Sequence, residues 1–280
     1  MDRVVEHQQC RIAYSVAGSG PAILFIQGVG VQGRAWQPQI DVLADRYTCI
    51  AFDNRGMGRS QPAGVEITVA QMAADARAVL DAEQIETAHV VGHSLGGLVA
   101  IQLALDARER VRSLGLLCTF PSGRLAAPLT PRMMWLGLRS RVGTRAMRRR
   151  GFLRLVLPPG AVVTNGLAER LADLFGHDLG DQPPVVGAQL RAMRRSDLLP
   201  RLGELKDLPS LVVNAVHDPI APPRAGHALR DGLAGARYVE VGAASHGLPI
   251  THADRVNELL IEHLSAAGAG RTGAAPGRAV

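Results

Sequence analysis

Within Gly92-His93-Ser94-Leu95-Gly96-Gly97, one serine stands two residues from a glycine on each side. A hydroxyl is a weak nucleophile until a base removes its proton, so it must be presented where base and substrate both reach it. The strand-like His89-Val90-Val91 precedes this stretch and the helix-like run Leu98 to Ala107 follows it, which predicts a sharp strand-to-helix turn with Ser94 at its apex. Gly92 and Gly96 supply room for strand and helix to meet, and Gly97 lets the helix lie close to neighbouring strands. The helix N-terminus places amide donors and positive partial charge beside the reacting oxygen.

Such a serine needs an imidazole to take its proton and a carboxylate to orient that imidazole. Asp218 follows the apolar run Leu211 to Val216, and His246 follows the run Tyr238 to Val241 within Gly242-Ala243-Ala244-Ser245-His246-Gly247. The order along the chain is Ser, Asp, His. His93, beside the nucleophile, and His252, six residues beyond His246, compete for the role of base. The other place for an acid, Thr119-Phe120-Pro121-Ser122-Gly123, contains no carboxylate. Phe25-Ile26-Gln27-Gly28-Val29-Gly30 ends a buried run in a glycine-rich loop, so the backbone N–H groups of Val29 and Leu95 are the expected oxyanion donors, with Gly28 supporting the turn. Losing one such donor removes roughly 3 kcal/mol of transition-state stabilisation. The glycines at 28, 30 and 33 do not have the G-x-G-x-x-G spacing of a dinucleotide site, and a nicotinamide cofactor is excluded.

Elements able to position these residues recur along the chain. Apolar runs of strand length (Cys10 to Val16, Ala22 to Gln27, Thr48 to Phe52, His89 to Val91, Val111 to Cys118, Leu211 to Val216, Tyr238 to Val241) alternate with helical periodicity at Val69 to Ala82, Leu98 to Ala107, Arg224 to Leu233 and Arg255 to Leu264. Strand then helix, repeated, predicts the α/β class: a mostly parallel sheet covered by helices on both faces. The rhythm breaks over residues 119–206, where three helical candidates, Arg132 to Arg150, Gly166 to Phe175 and Val185 to Arg195, predict an all-helical cap inserted into a core of residues 1–118 and 207–265. Residues 266–280 are rich in Gly and Ala and are expected to be a disordered tail.

Charge is distributed unevenly. The whole chain carries a formal +6, yet the cap segment alone holds fifteen basic and six acidic residues. These arginines either lie on solvated helix faces or attract an anionic substrate or carrier, such as coenzyme A or an acyl carrier protein. With 4% aromatic residues and no zinc-finger, helix-turn-helix or RNA-binding pattern, nucleic acid is not an expected partner. No apolar run approaches the ~20 residues needed to span a bilayer. The charged N-terminus and three scattered cysteines, Cys10, Cys49 and Cys118, lead to the expectation of a cytoplasmic protein with buried thiols and no metal site.

With these residues in hand, the chain resembles the α/β-hydrolase superfamily over everything except the tail and the variable cap. Phe52-Asp53-Asn54-Arg55-Gly56-Met57-Gly58-Arg59-Ser60 is similar to the family's D-x-R-G-x-G-x-S loop, expected here to be structural. Trp36-Gln37-Pro38-Gln39 is similar to the W-x-x-Q stretch of cofactor-free haloperoxidase-like esterases and enol-lactone hydrolases. Members commonly have His-Gly where this chain has Gln27-Gly28, which alters a side chain beside the oxyanion hole. Ser94 argues against the family's dehalogenases and epoxide hydrolases, which use aspartate. The resemblance implies a cofactor-free serine hydrolase acting on a small ester, lactone or thioester. Acyl transfer or cyclisation by the same triad, and a ligand-binding protein with a vestigial site, are the alternatives. Gln27, His93, Met134 and Trp135 are candidate pocket residues, the two cap residues having plain helix packing as their alternative.

Overall fold

The computed structural model describes residues 2–126 and 130–269. Eight strands form one sheet: β1 (Asp2–His7), β2 (Cys10–Ala17), β3 (Ala22–Ile26), β4 (Thr48–Phe52), β5 (Ala88–His93), β6 (Val111–Leu117), β7 (Ser210–Ala215) and β8 (Arg237–Val241). They lie in the order β1-β2-β4-β3-β5-β6-β7-β8, antiparallel among β1, β2 and β4 and parallel from β4 onward. Every residue of β3 and β7 is buried, as near-continuous apolar runs require when helices cover both faces of a parallel sheet. β1 escapes the apolar-run criterion because its sequence, DRVVEH, is that of an exposed edge, where charged side chains discourage pairing with another sheet.

Helices α1 (Gln37–Leu43), α2 (Val69–Ala82), α3 (Leu95–Asp106), α4 (Pro131–Arg139), α5 (Arg145–Val156), α6 (Asn165–Phe175), α7 (Val186–Arg195), α8 (Pro223–Gly232), α9 (Leu248–Thr251) and α10 (Ala253–Ala269) complete the fold. α2 and α3 pack on each other, and α8 covers β7 and β8; α1 pairs with α10, which lies on β6. The last helix runs through residues 266–269, which the sequence suggests as tail, because alanine propagates a helix even without an apolar stripe. Residues 270–280 of the expected tail lie outside the described residues.

The insertion after β6 is helical, with two differences from expectation. The stretch Arg132 to Arg150 is two helices, not one: Gly143 takes φ +108° and the Thr144 hydroxyl accepts the Met147 N–H to start α5. Thr130 and Thr164 cap α4 and α6 in the same way. The second difference is the boundary at 206. The neck of the insertion closes at Ser122 and Asp197, with Leu198 N–H bonded to the Pro121 carbonyl, and the following 3-10 turn Leu199–Leu205 packs on α3 and α8. The cap helices therefore end with α7. Several cap arginines also meet acids nearby: Arg145 and Arg148 pair with Asp181, and Arg149 with Asp178. Hydrogen bonds from these guanidinium groups hold both carboxyls below the usual range.

Candidate active site

Parallel pairing aligns strand ends. Ile26 is level with Gly92, His93 with Leu117, and Leu117 with Val213, so the loops leaving β3, β5, β6 and β7 emerge along one edge of the sheet. Loops at the carboxyl ends of parallel strands are where such sheets bind ligands. This edge receives the Gln27–Gly30 loop, Ser94, Thr119 and Asp218.

Ser94 occupies φ +55°, ψ −121°, a conformation a side chain rarely adopts, at the junction of β5 and α3. Such strain costs about 1–3 kcal/mol and persists only where neighbours enforce it. Here the Ser94 N–H bonds the Leu117 carbonyl at 3.1 Å, and the Ser94 carbonyl accepts from the Thr119 hydroxyl at 2.6 Å. A Cβ at Gly96 would overlap the Ile26 carbonyl, and one at Gly92 would overlap the backbone of Gly96, so the turn closes only with glycine at both. Gly97 faces Thr119 at a comparably close approach, and Gly28 lies against the Ser94 Cβ. Thr119 stands in the loop after β6, whose residues 119–123 include no carboxylate.

Asp218 and His246 meet as the chain order suggests. His246 Nδ1 lies 2.8 Å from Asp218 Oδ2, with both residues buried. The other carboxylate oxygen accepts the Ile220 and Ala221 N–H groups at 2.7 and 2.8 Å, which leaves the carboxylate one orientation. Burial, followed by the adjacent Asp218 charge, pushes the Cys118 thiol up. The neighbouring Gly247 N–H bonds the Val156 carbonyl at the end of α5, so the cap helps to hold the histidine loop.

The competing histidines have other attachments. His93 donates Nε2–H to the His246 carbonyl at 2.9 Å, and the two rings lie tilted by 43° with centroids 4.8 Å apart. Burial first, and then the His246 charge, lower its pKa, so the ring is neutral at physiological pH and braces His246. This bond occupies the donor of a residue expected to line a pocket. His252 contacts Thr251. Gln27 is buried, with its side-chain oxygen accepting the Gly28 N–H at 3.1 Å. Met134 is 63% exposed and lines no part of the cap cavity of about 860 Å³ whose wall includes Trp135.

The loop after β3, expected from the sequence to supply an oxyanion donor, shows a selective pattern of bonding. The Gly28 amide is taken by Gln27, and the Gly30 amide bonds Gln189 Oε1 of α7 at 2.8 Å. Between them, the Val29 N–H meets no acceptor among the described residues, and neither does the Leu95 N–H. His177 Nε2 lies 2.8 Å from the Gly30 carbonyl, so cap side chains grip both polar groups of that residue. Gln189 and His177 carry no sequence signal for this role, since only the docking of the cap brings them to the loop.

The D-x-R-G-x-G-x-S loop braces the same region. Asp53 accepts the Gly33 and Arg59 N–H groups, while Asn54 holds the Gln27 carbonyl. Arg55, fully buried, makes a two-pronged contact with Asp75. Trp36 is buried against Phe25, and Gln39 binds the Pro249 carbonyl just beyond His246. Both sequence signatures thus act as scaffolding for the site loops.

Known proteins share this arrangement of elements. A family model described as alpha/beta hydrolase fold matches residues 21–162. The chain is 33% identical to RutD of Azorhizobium caulinodans, a provisionally assigned carbamate hydrolase, over 89% of this chain and 92% of that one. Among solved structures, the enol-lactonase from Burkholderia xenovorans LB400 superposes with a TM-score of 0.76 at 25% identity, covering 94% of this chain and 100% of that one. The provisionally assigned non-heme bromoperoxidase BpoC of Mycobacterium tuberculosis is 31% identical over 84% of this chain and 90% of its own length. With its strand order, its serine turn and these likenesses taken together, the chain belongs to the alpha/beta hydrolase fold family.

Proposed function

We propose that this protein is a serine hydrolase that cleaves a small ester, lactone, thioester or related acyl compound through an acyl-enzyme. The observation that carries the proposal is the buried Asp218–His246 pair on the sheet edge that also carries Ser94 in its strained turn. Two amides without acceptors, at Val29 and Leu95, add support. In this reading His246 Nε2 takes the Ser94 hydroxyl proton as the oxygen attacks the acyl carbon. Asp218 holds the ring with Nδ1 protonated and stabilises the imidazolium, while the Val29 and Leu95 amides receive the negative oxygen. His246 returns the proton to the leaving group, then activates a water that releases the acid and restores Ser94.

A relative named for carbamate hydrolysis and a structural neighbour named an enol-lactonase both fit chemistry at an acyl carbon. An acyl group carried on coenzyme A or a carrier protein is the anionic form of such a substrate. Of the cap's fifteen basic residues, three arginines already engage Asp178 and Asp181. No helix among the described residues is long and apolar enough to cross a membrane.

The test is turnover of a short-chain nitrophenyl ester, with mass spectrometry after treatment with a fluorophosphonate. Ser94→Ala and His246→Ala should each lose at least about a thousandfold in kcat, and the probe should add once, at Ser94. Either variant retaining activity within tenfold of wild type, with the probe elsewhere, overturns the assignment.

A further inference from the structure

The cap cavity of about 860 Å³ lies between α4, α5, the 157–163 loop and the loop after β7 that carries Asp218. Three guanidinium-bearing residues, Arg149, Arg150 and Arg154, form its cap wall, and His217 and Pro219 form its core wall. No aspartate or glutamate is among its lining residues. Arg149 is paired with Asp178, yet its Nε is buried without a partner. Arg154 stacks over the Trp135 ring at 5.7 Å and meets no acid, and Arg150 meets no acid either, among the described residues. The other two arginines of α5, Arg145 and Arg148, pair with Asp181, so the arginines of this helix that meet no acid both lie at the cavity. The rest of the wall is apolar, including Leu153 and Leu157.

A cavity with two unpaired guanidinium groups, an orphan donor and no acid is matched electrostatically by an anion, and its apolar flank by an aliphatic or aromatic body. Its core wall is the loop whose middle residue, Asp218, holds His246. We propose that this cavity binds the anionic, non-reacting end of an amphiphilic substrate, a carboxylate or phosphate monoester joined to an apolar body. The substrate role rests on the serine hydrolase reading; the anion site does not.

The experiment separates the two. Binding of hexyl phosphate, with hexanol as the uncharged control, is measured by calorimetry on Ser94→Ala protein and on the same protein carrying Arg150→Gln and Arg154→Gln. Saturable binding of hexyl phosphate, weakened at least about tenfold by the arginine changes and absent for hexanol, supports the anion site. Inorganic phosphate run alongside tells whether the anion alone suffices: binding as tight as hexyl phosphate would remove the apolar half of the proposal. No saturable binding at millimolar hexyl phosphate, or equal binding by the arginine variant, overturns the site. On the serine-intact background, the kcat/KM of a carboxylate-terminated nitrophenyl ester should fall at least about tenfold in the arginine variant, mainly through KM, while nitrophenyl butyrate stays within twofold. Equal losses on both esters overturn the substrate role. Arginine-dependent binding in a protein that hydrolyses neither ester would uphold the cavity and refute the hydrolase reading.

Discussion

Replacing Asp218 with asparagine tests the site with a nearly isosteric change. One carboxylate oxygen accepts two backbone N–H groups, from Ile220 and Ala221, and the other faces His246 Nδ1. An asparagine keeps its single oxygen on the two amides, which turns its NH₂ toward the histidine. Nδ1 then becomes an acceptor, the proton moves to Nε2, and the ring can no longer take a proton from Ser94. The active tautomer returns only if the amide flips, which leaves two N–H groups, the Ala221 one buried and the Ile220 one part-buried, facing an NH₂. At about 1–3 kcal/mol for each unsatisfied donor, the flip costs roughly 2–6 kcal/mol, and the competent population falls to between about 1 in 30 and 1 in 20,000. The expected result for Asp218→Asn is therefore a kcat loss within that range, with little change in Tm or in fluorophosphonate-free fold markers such as far-UV circular dichroism. Steady-state turnover of a nitrophenyl ester, corrected with Ser94→Ala as background, reads it directly. Activity within fivefold of wild type in a folded variant would show that the carboxylate does not control the tautomer.

Two further outcomes follow from residues other than Ser94, Asp218 and His246. Gln189→Leu strips the Gly30 N–H of its acceptor and should lower kcat about tenfold with KM nearly unchanged, while Gln189→Glu, which still presents an oxygen, should recover most of the loss; a change confined to KM would contradict a positioning role. His89 and His263 are both buried, and desolvation lowers each to about 4 from a model-peptide value of 6.5. The unfolded chain then binds protons more readily, so stability is intact above about pH 6.5 and is lost as pH falls toward 4, by about 3 kcal/mol per histidine and on the order of 10 °C in Tm. Melting curves of His89→Gln should show a shallower acid limb than wild type; identical limbs would assign the acid sensitivity elsewhere.

Much of the fold is legible because buried strands need apolar residues and because Gly92 and Gly96 are forced by backbone contact around Ser94. Asp218 and His246 are legible through their positions just after strands. β1 is not, since an edge strand with one neighbour has no apolar run to display, and the break between α4 and α5 rests on a single glycine and its threonine cap. Less accessible still are contacts set by docking. His93 is adjacent to Ser94 in sequence, yet its contact with His246 depends on a bond spanning 153 residues. The arginines of α5 look alike in sequence, and only the placement of Asp178 and Asp181 separates Arg145, Arg148 and Arg149, which meet an acid, from Arg150 and Arg154 at the cavity, which meet none among the described residues.

The double grip of Gln189 and His177 on Gly30 has a practical bearing on engineering. A cap transplanted from a relative to change selectivity would keep this grip only if it carried equivalents of these two side chains. Without it the amide one residue earlier would lose its anchorage, and, on the proposed oxyanion role of that amide, a chimera intended to accept a new substrate would be slow on every substrate. Cap swaps in this protein should therefore be designed outward from those two positions.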